Sequence, residues 1–530
     1  MQKGWMLIGA ALLAGCRPGG HDPPRRRDPG ETADRAISVS IDLDSAVAQT
    51  SPRFLSFAID IAALVRREPY DFSRARLRRM TSGLAPAYLR IGGTAADRTY
   101  YDLSDAPVGA APQPFEKVLT RDRWDAAAGF AHDLGLEVVF TLNAGPGPRD
   151  PLGQWTPDNA EELVEYTAAR GYPVATWELG NEINFHWADH GLCLDAEDYA
   201  RDFAAARSLV DAAHPRARLA GPSNLFWPVW GEPPPIGCDF STTAFLALAG
   251  DLVDVVAWHY YPQQSDAESC VVRDRPADVD TLFDAANLDA VLASAQAIRS
   301  ARDESAPDAE AWLTETGHAL CGGQDGLSDT FASSFWWLDQ LGLLAKRGQK
   351  VVVRQTLTGG SYDMIDSRTL EPNPDYWSSL LWKRLMGTRA LDLAVDAGPA
   401  LRAYAHCAAD RAGPVGAVTV LLINLGDEET RPLAIGRAGG ARELYQVTGR
   451  MPSSLGECLD DPLTVADERP DDCSELVVNG VTLQAADDGS PPPIEPAFVE
   501  DPIRLAPRSY AFVVLTEADA PACLIPSAGG

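Results

Sequence analysis

The chain has 530 residues, 45% of them hydrophobic, and carries 75 acidic against 45 basic side chains, a formal net charge of −30. A chain this long and apolar can bury a large core, so it is not a disordered protein, and we expect one sizeable domain with a smaller companion. The negative charge argues against nucleic acids and densely sulfated polyanions as partners, because like charges repel.

The first 16 residues have the pattern of an export signal. Lys3 precedes an apolar core that is too short to span a bilayer, and the core ends in Leu13-Ala14-Gly15-Cys16. This tetrapeptide resembles the bacterial lipobox, which predicts that Cys16 is the lipidated first residue of an exported protein anchored to the cell envelope, with the outer membrane as the expected site. The alternative is an ordinary secretory signal that contains a cysteine. Residues 17–35 are interpreted as a flexible tether.

Nine cysteines are present, and without Cys16 the remaining eight form an even number. In an exported chain this indicates disulfide bonds, although the spacings do not determine which cysteines pair. No CxxC pair or Cys/His cluster at metal-ligand spacing was recognised in the sequence. We therefore expect neither a metal site nor another cofactor.

Residues 50–390 alternate short apolar runs with longer amphipathic stretches. The predicted strands are 54–60, 87–92, 136–142, 174–182, 217–222, 253–261, 311–315 and 351–357. The predicted helices are 123–134, 158–170, 196–213, 280–302 and 330–347. Successive β-then-α units predict a (β/α)₈ TIM barrel rather than an open sheet.

Beyond residue 390 the sequence changes character. Residues 391–530 contain short β-rich segments separated by Pro, Gly and Asp, without long helical periodicity, which is typical of a β-sandwich. Residues 36–49 precede the barrel and begin with the same alternating pattern. We expect this N-terminal stretch to add a strand to the second domain.

Two of the predicted barrel strands end in a glutamate. TWELGNE (176–182) ends in Asn181 and Glu182, and WLTET (312–316) contains Glu315. Because parallel barrel strands end on one face, these two carboxylates can meet across a pocket. Partial burial disfavours the charged form of a carboxyl group and raises its pKa, as a general acid near neutral pH requires. Either glutamate alone is more simply interpreted as a surface acid, but the pair suits glycoside hydrolysis.

Seven ordered sequence blocks extend this pattern along the barrel. They are AYLRIGGT (87–94), TWELGNE (176–182), AWHYY (257–261), WLTET (312–316), LSDTFASSFWWLDQLG (327–342), VVVRQTL (351–357) and PDYWSSLLWKRLMGT (374–388). The chain resembles the heparanase-like retaining glycosidases of glycoside hydrolase family 79. The resemblance implies cleavage of β-glucuronidic bonds by double displacement through a covalent glycosyl-enzyme intermediate. It makes Glu182 the acid/base and Glu315 the nucleophile.

The resemblance also implies a set of sugar-binding side chains. Asn181 would bind the sugar 2-hydroxyl, and Tyr261, in the His259-x-Tyr261 pattern, would donate a hydrogen bond to the nucleophile. The remaining substrate-binding candidates of this kind are Asp60, Thr94, His259 and Gln355. A buried structural aromatic is the alternative for Tyr261, and a satisfied core polar group is the alternative for Asp60 or Gln355.

In the family, a tyrosine and the backbone amides of a glycine-rich loop hold the uronate carboxylate. The matching positions here are Tyr362 and the loop Cys321-Gly322-Gly323. Backbone N–H groups can hold an anion without a basic side chain. The chain departs from the family pattern at three positions, where Cys321 replaces a glycine, Leu320 a tyrosine and Ala62 an asparagine.

These departures leave open whether cleavage is internal (endo) or terminal (exo). Cys321 has a second interpretation, a disulfide bond, with Cys270 as a candidate partner that would stiffen the loop. The resemblance further implies a Cys407–Cys523 disulfide that ties the sandwich to the C-terminus. The expected partner is an oligo- or polysaccharide that contains glucuronic acid. The alternatives are a retaining β-glycosidase of another sugar and a non-catalytic, glycan-binding surface lipoprotein.

Overall fold

The computed structural model describes residues 35–232, 238–268, 270, 274–436, 442–452, 473–500 and 502–524. The predicted signal peptide, the lipobox with Cys16 and the tether up to residue 34 lie outside these residues, as does Cys458. Within the described ranges, no helix combines the length and apolarity needed to cross a membrane.

The strands of the described chain are β1 Ile37–Gln49, β2 Leu55–Asp60, β3 Tyr88–Gly92, β4 Thr99–Asp102, β5 Lys117–Thr120, β6 Glu137–Leu142, β7 Val174–Leu179, β8 Arg218–Phe226, β9 Val255–Tyr260, β10 Gln263–Gln264, β11 Glu310–Thr316, β12 Ala319–Leu320, β13 Val351–Arg354, β14 Met386–Val395, β15 Leu401–Ala408, β16 Val418–Asn424, β17 Leu433–Ile435, β18 Arg442–Gly449, β19 Leu476–Val478, β20 Val481–Thr482, β21 Ala497–Val499 and β22 Ser509–Leu515. The α-helices are α1 Ala62–Val65, α2 Ala75–Gly83, α3 Arg121–Asp133, α4 Asp158–Arg170, α5 His186–His190, α6 Ala196–Ala213, α7 Thr242–Ala249, α8 Ala285–Asp289, α9 Val291–Ser305, α10 Ser333–Lys346 and α11 Pro374–Leu385.

Eight parallel strands close into a barrel in the order β11-β13-β2-β3-β6-β7-β8-β9, which confirms the predicted TIM barrel. Strand β9 is buried along its whole length, because helices cover the outer face of such a sheet and side chains fill its interior. Local signals start the helices between the strands. Asp195 caps α6 by accepting a hydrogen bond from the N–H of Asp198, and Ser241 caps α7 in the same way.

The predicted helix at 280–302 is wrong in one respect, because the structure divides it into α8 and α9. Asp284 caps α8 by accepting from the N–H of Ala286. The Asn287 side chain exchanges hydrogen bonds with Gln263 and donates to the carbonyl oxygen of Thr281. Tertiary contacts of this kind leave no signal in the helical periodicity of the sequence. They determine the course of the first turns of this segment.

Ten further strands form one continuous sheet, in the order β17-β1-β14-β15-β16-β22-β18-β19-β20 with β21 beside β18. Strands far apart in this order, among them β17 and β22, contribute to a single apolar cluster, so the sheet folds over into the predicted sandwich. Strand β1 pairs antiparallel with β14 and parallel with β17. The N-terminal segment is therefore part of the second domain.

The two domains share a tight interface. A Cβ atom on Gly342 in α10 would lie 2.3 Å from the ring of Tyr404 in β15, so only glycine allows this approach. Tyr404 and Arg402 also donate hydrogen bonds to the buried carboxylate of Asp339 in α10. The barrel and the sandwich thus pack as one body.

Three disulfides join described residues, namely Cys193–Cys238, Cys270–Cys321 and Cys407–Cys523. The pair implied by the family resemblance and the pair raised as a second interpretation of Cys321 are both present. Cys473 is disulfide-bonded as well.

Candidate active site

The two predicted catalytic glutamates face each other at the C-terminal end of the barrel. A carboxylate oxygen of Glu182 lies within 4.8 Å of one from Glu315. The turn after β7 makes this possible: Gly180 has a φ of +74° and Glu182 itself has a φ of +53°. A side chain held in this left-handed region costs on the order of 1 kcal/mol, so the surrounding structure must hold Glu182 in place.

Glu182 lies in an environment that favours its protonated form. Its side chain is buried, and His259 Nδ1 lies 3.0 Å from Glu182 Oε1. Burial, and then the negative charge of Glu315, raise the pKa of Glu182 well above its usual range. Burial and the charge of Arg90 lower the pKa of His259 well below its usual value, so the imidazole stays neutral beside the acid.

Glu315 is surrounded by donors. Arg90 Nη1 donates to Glu315 Oε2 at 2.6 Å, and the Tyr261 hydroxyl donates to Oε1 at 2.7 Å. Burial and the neighbouring carboxylate raise the pKa of Tyr261, so its hydroxyl keeps its proton and remains a donor. Tyr261, and not the adjacent Tyr260, is therefore the tyrosine that reaches the glutamate. Donors to the ionised form favour a nucleophilic carboxylate.

Arg90 links Glu315 to Glu178 and Asn181, which lie on the segment that precedes Glu182. Besides Glu315, its guanidinium donates to Glu178 Oε2 and to Asn181 Oδ1, each at 2.9 Å. Burial acts to lower the pKa of Arg90, but the charges of Glu178 and Glu315 outweigh it and raise that pKa above its ordinary value. Because the Asn181 oxygen is taken by Arg90, its amide N–H₂ is the end left to donate to a sugar hydroxyl.

A second buried pair holds the Asn181 peptide. Asp97 Oδ2 accepts a hydrogen bond from the Asn181 N–H at 2.9 Å, and His186 Nε2 lies 3.2 Å from both Asp97 Oδ2 and the Asn181 carbonyl oxygen. Burial acts to raise the pKa of Asp97, but its His186 and His190 neighbours and the Ala144 N–H lower it overall. The backbone N–H and the carbonyl of Asn181 therefore both have partners, which fixes the residue that precedes Glu182.

Two groups of side chains in the described chain have ligand atoms spaced closely enough for a metal ion. They are Glu182, His259 and Glu315, and separately Asp97, His186 and His190. The first group is the predicted catalytic pair with its histidine, and the second holds the Asn181 peptide. The sequence interpretation overlooked the second group, although His186 and His190 are spaced i, i+4 on one helix, a spacing that can bring two ligands together. That the enzyme needs no metal stays a prediction.

The opposite wall of the pocket comes from the ends of β2 and β3. Asp60 Oδ1 accepts from the Ala62 N–H at 2.8 Å, and burial raises the pKa of Asp60 to about 6. A Cβ atom on Gly93 would lie 2.5 Å from Asp60 Oδ2, so glycine leaves room for this carboxyl group. Thr94 follows and begins a short 3₁₀ turn.

The remaining candidates lie on the loops after β11 and β13. Gln355 Oε1 is buried and has no hydrogen-bond partner within the described chain, which suits a substrate donor. A Cβ atom on Gly323 would lie 2.7 Å from the backbone nitrogen of Tyr362, so the glycine loop touches the Tyr362 segment. Cys321 has a φ of +68°, the left-handed region that the family's glycine would adopt freely, and its Sγ is bonded to Cys270. Only its backbone is left to bind a substrate.

Sequence interpretation missed four residues that hold the pair together, namely Arg90, Glu178, Asp97 and His186. Arg90 and Glu178 each interrupt an apolar strand with a charge, which is a signal of buried pairing because lone buried charges are rare. Asp97 carries no comparable pattern, since it lies in a short 3₁₀ turn whose course the sequence does not reveal. His186 begins the short helix α5, and its only signal is the i, i+4 spacing to His190.

Comparison with known proteins places the chain in a family. The model of the glycosyl hydrolase family 79 N-terminal domain matches residues 69–342, and heparanase of Gallus gallus is 31% identical over 92% of this chain and 97% of its own length. The chain belongs to glycoside hydrolase family 79. Another relative of this family 79 enzyme is the baicalin-β-D-glucuronidase of Scutellaria baicalensis, 30% identical over 71% of the chain and 73% of that protein.

A solved structure supports the fold of the family 79 enzyme independently. The α-L-arabinofuranosidase of Thermotoga maritima superposes with a TM-score of 0.63, over 91% of this chain and 100% of that chain, at 15% identity. At this identity the likeness shows the fold alone, a barrel with a β-sandwich.

We expect replacement of Arg90 by Met to lower the free energy of unfolding by about 3–5 kcal/mol, because Glu178 and Glu315 would be left as buried charges without their cation. Urea-induced unfolding at neutral pH measures this difference. The matched control is Arg78→Met, which removes a 2.7 Å ion pair with Asp133 whose side chains are 29% and 55% exposed. The control should lose no more than about 1 kcal/mol. Equal losses in the two variants would contradict the role given to Arg90.

Proposed function

We propose that this family 79 enzyme hydrolyses β-glucuronidic bonds with retention of configuration. The observation that carries the proposal is the facing carboxyl pair, in which burial and a neighbouring charge raise the pKa of Glu182 while Glu315 accepts hydrogen bonds from Arg90 and Tyr261. Retention requires carboxyl groups roughly 5 to 5.5 Å apart, because the second must reach the anomeric carbon itself. The approach of Glu182 to Glu315 within 4.8 Å, measured between carboxylate oxygens, is compatible with that requirement.

The proposed mechanism has two displacements. Glu315 attacks the anomeric carbon while Glu182 gives its proton to the departing oxygen, which leaves a glycosyl ester on Glu315 and an ionised Glu182. Glu182 then takes a proton from water as the water attacks the same carbon, and Glu315 is released as a carboxylate. The Asn181 amide would donate to the sugar 2-hydroxyl in both transition states.

The substrate assignment rests on the pocket and on the relatives. The names of the two relatives, a heparanase and a β-D-glucuronidase, support a glucuronide. The pocket offers the Gly322 backbone N–H and Tyr362, a set that can hold one carboxylate without a basic side chain. The Gly323 N–H, also expected to bind the carboxylate, donates instead to the Ala319 carbonyl at 3.1 Å. The net charge of −30 opposes strongly sulfated chains. A glucuronic-acid-containing glycan, cleaved endo or exo, fits all of these observations.

A non-catalytic glycan-binding protein is the alternative from another class, and a retaining β-glycosidase of another sugar is the alternative among enzymes. A binding protein has no use for two carboxyl groups that face each other in one pocket with such different hydrogen-bond partners. The features found here, a strained Glu182 with a raised pKa and a Glu315 fixed by two donors, are those of an enzyme.

Azide products should separate the roles of the two glutamates. In Glu182→Ala, azide enters the cleared space and attacks the glycosyl-enzyme, so the product from an activated aryl β-glucuronide should be the β-azide. In Glu315→Ala, azide attacks the substrate from the vacated side, so the product should be the α-azide. Without azide, we expect Glu315→Ala to lose at least about 10⁴-fold in kcat.

Product NMR distinguishes the two azides. The control is Glu310→Ala, which alters a partly exposed glutamate at the start of the same strand as Glu315 and should give no azide product. The same anomer from both catalytic variants, or none from either, would refute the assignment.

The pH profile should lose activity on its alkaline side. The acid form of Glu182 is present below its raised pKa, so kcat/KM should fall as the pH rises through that pKa. Glu182→Gln cannot ionise, so its residual activity on a substrate with a good leaving group should show no such alkaline decline. If the variant showed the same alkaline decline in activity, that decline would belong to another ionisable group.

We also propose export and attachment to the cell envelope through a lipid on Cys16, because the lipobox-like tetrapeptide ends the apolar core of the signal. Cell fractionation tests this proposal. The full-length chain should sediment with membranes, and Cys16→Ser should not. Release of both forms into the medium after cleavage at the same bond would instead show an ordinary secretory signal.

A further inference from the structure

A disulfide lies within the loop that is proposed to hold the uronate carboxylate. Cys270 and Cys321 are 51 positions apart in the chain, and their Cα atoms lie 5.5 Å apart. Cys321 opens the loop Cys321-Gly322-Gly323, whose three residues have φ angles of +68°, +93° and +89°. The proposed function uses only the backbone of this loop, so the sulfur bridge has no assigned role.

Cys321 stands in a conformation that favours glycine. In the left-handed region the Cβ atom of a residue crowds its carbonyl oxygen, a cost that Gly322 and Gly323 do not bear because they lack that atom. Without an external restraint, the backbone of Cys321 would relax toward negative φ. The bond from its Sγ to Cys270 supplies such a restraint from outside the loop.

Cys270 is anchored in the fold. It is 2% exposed, and its N–H donates to the Ala267 carbonyl at 3.0 Å. The segment that contains Cys270 is closed at Gln264, whose N–H donates to the Arg275 carbonyl at 2.9 Å and whose carbonyl accepts from the Ala277 N–H at 2.8 Å. The bridge therefore ties a strained residue to a buried and hydrogen-bonded part of the chain.

The loop leaves a backbone donor for a ligand. The Gly322 carbonyl accepts from the Ser361 N–H at 2.8 Å, and the Gly323 N–H donates to the Ala319 carbonyl at 3.1 Å. Among the residues that the structure describes, the Gly322 N–H has no such partner. A Cβ atom on Gly322 would have nothing within 4 Å, so this residue faces open space.

We infer that Cys270 and Cys321 are positioning residues for the uronate carboxylate. The inference rests on the proposed function and deepens it. The disulfide keeps Cys321 in the left-handed conformation, and this conformation directs the N–H of the next residue, Gly322, into the pocket beside Tyr362. Neither sulfur atom touches the substrate. A glycine at position 321 would adopt the same conformation without a bridge.

Two double variants test this inference. Cys270→Ser with Cys321→Ser, the Ser pair, removes the bridge and keeps a side chain at position 321. Cys270→Ser with Cys321→Gly, the Gly pair, removes the bridge and the steric cost together. The measurement is the ratio of inhibition constants for a glucuronic-acid-type iminosugar and its analogue with a hydroxymethyl group in place of the carboxylate. Because both probes meet the same catalytic pair, this ratio reports the contacts of the carboxylate.

The wild type should bind the carboxylated probe about a hundredfold more tightly, because two charge-assisted hydrogen bonds are lost with the carboxylate. The Ser pair should lower this preference to about tenfold, since a left-handed residue other than glycine is held at a cost of that order. The Gly pair should restore most of the preference. For an aryl β-glucuronide, KM should follow the same pattern while kcat changes by less than about threefold, because this binding energy is shared by ground and transition states.

Cys193→Ser with Cys238→Ser is the matched control, since that bridge spans 45 positions against 51. Its loss of conformational stability should resemble that of the Ser pair, because the two closed segments are of similar length. Its preference for the carboxylated probe should stay at the wild-type value. An equal loss of preference in the Ser and Gly pairs, no loss in either, or the same loss in the control would overturn the positioning role.

Peptide mass mapping of the wild type, purified without reductant, should recover Cys270 and Cys321 in one linked species. Free thiols at both positions would overturn the inference. All of these outcomes leave the proposed function intact while the wild type hydrolyses an aryl β-glucuronide. A folded wild type that hydrolyses no glucuronide would overturn the proposed function itself. A wild type that hydrolyses the glucuronide but prefers neither probe would overturn the carboxylate site and, with it, the inference.

Discussion

The site depends on one buried cation. Arg90 binds Glu178, Asn181 and Glu315 simultaneously, and its side chain has no exposure to solvent. Its positive charge lies against Glu315, the proposed nucleophile, and its fork geometry fixes the distance from Glu315 to the Asn181 amide, the proposed sugar contact. A lysine could supply the charge, but its three N–H donors share one nitrogen and cannot reproduce the planar fork that reaches three partners from Nε, Nη1 and Nη2. The two glutamates therefore differ in their surroundings. Glu315 has the cation as a hydrogen-bond partner, whereas the pKa of Glu182 is raised by burial and by the charge of Glu315, beside a neutral histidine.

The position of Glu182 depends on a second set of contacts, made with the backbone of the residue before it. Glu182 adopts a left-handed conformation that it would not hold alone, and the N–H and carbonyl of the preceding Asn181 are bound by Asp97 and His186. Groups of this kind have little sequence signal, yet they determine where the Glu182 side chain lies. Asp97 also accepts from the Ala144 N–H at 2.7 Å, which ties the loop after β6 to the same centre.

Much of this could be predicted from the sequence, for a physical reason. Buried parallel strands are apolar throughout, so β7, β9 and β11 stand out, and their ends necessarily share a face. That geometry brought Glu182 and Glu315 together before any contact was known. Two features could not be foreseen, because both arise from tertiary hydrogen bonds. They are the break between α8 and α9 and the hydrogen bond that Asp97 accepts from the N–H of Asn181, 84 positions away.

The position of β1 has a mechanical consequence. This first strand of the described chain is hydrogen-bonded along both edges, antiparallel to β14 and parallel to β17. A pull on the N-terminus along the strand would load these bonds together in shear instead of opening them one after another. Force would therefore be shared across the sandwich before any of it reached the barrel, and the distance between Glu182 and Glu315 would be insulated from a pull on the N-terminus.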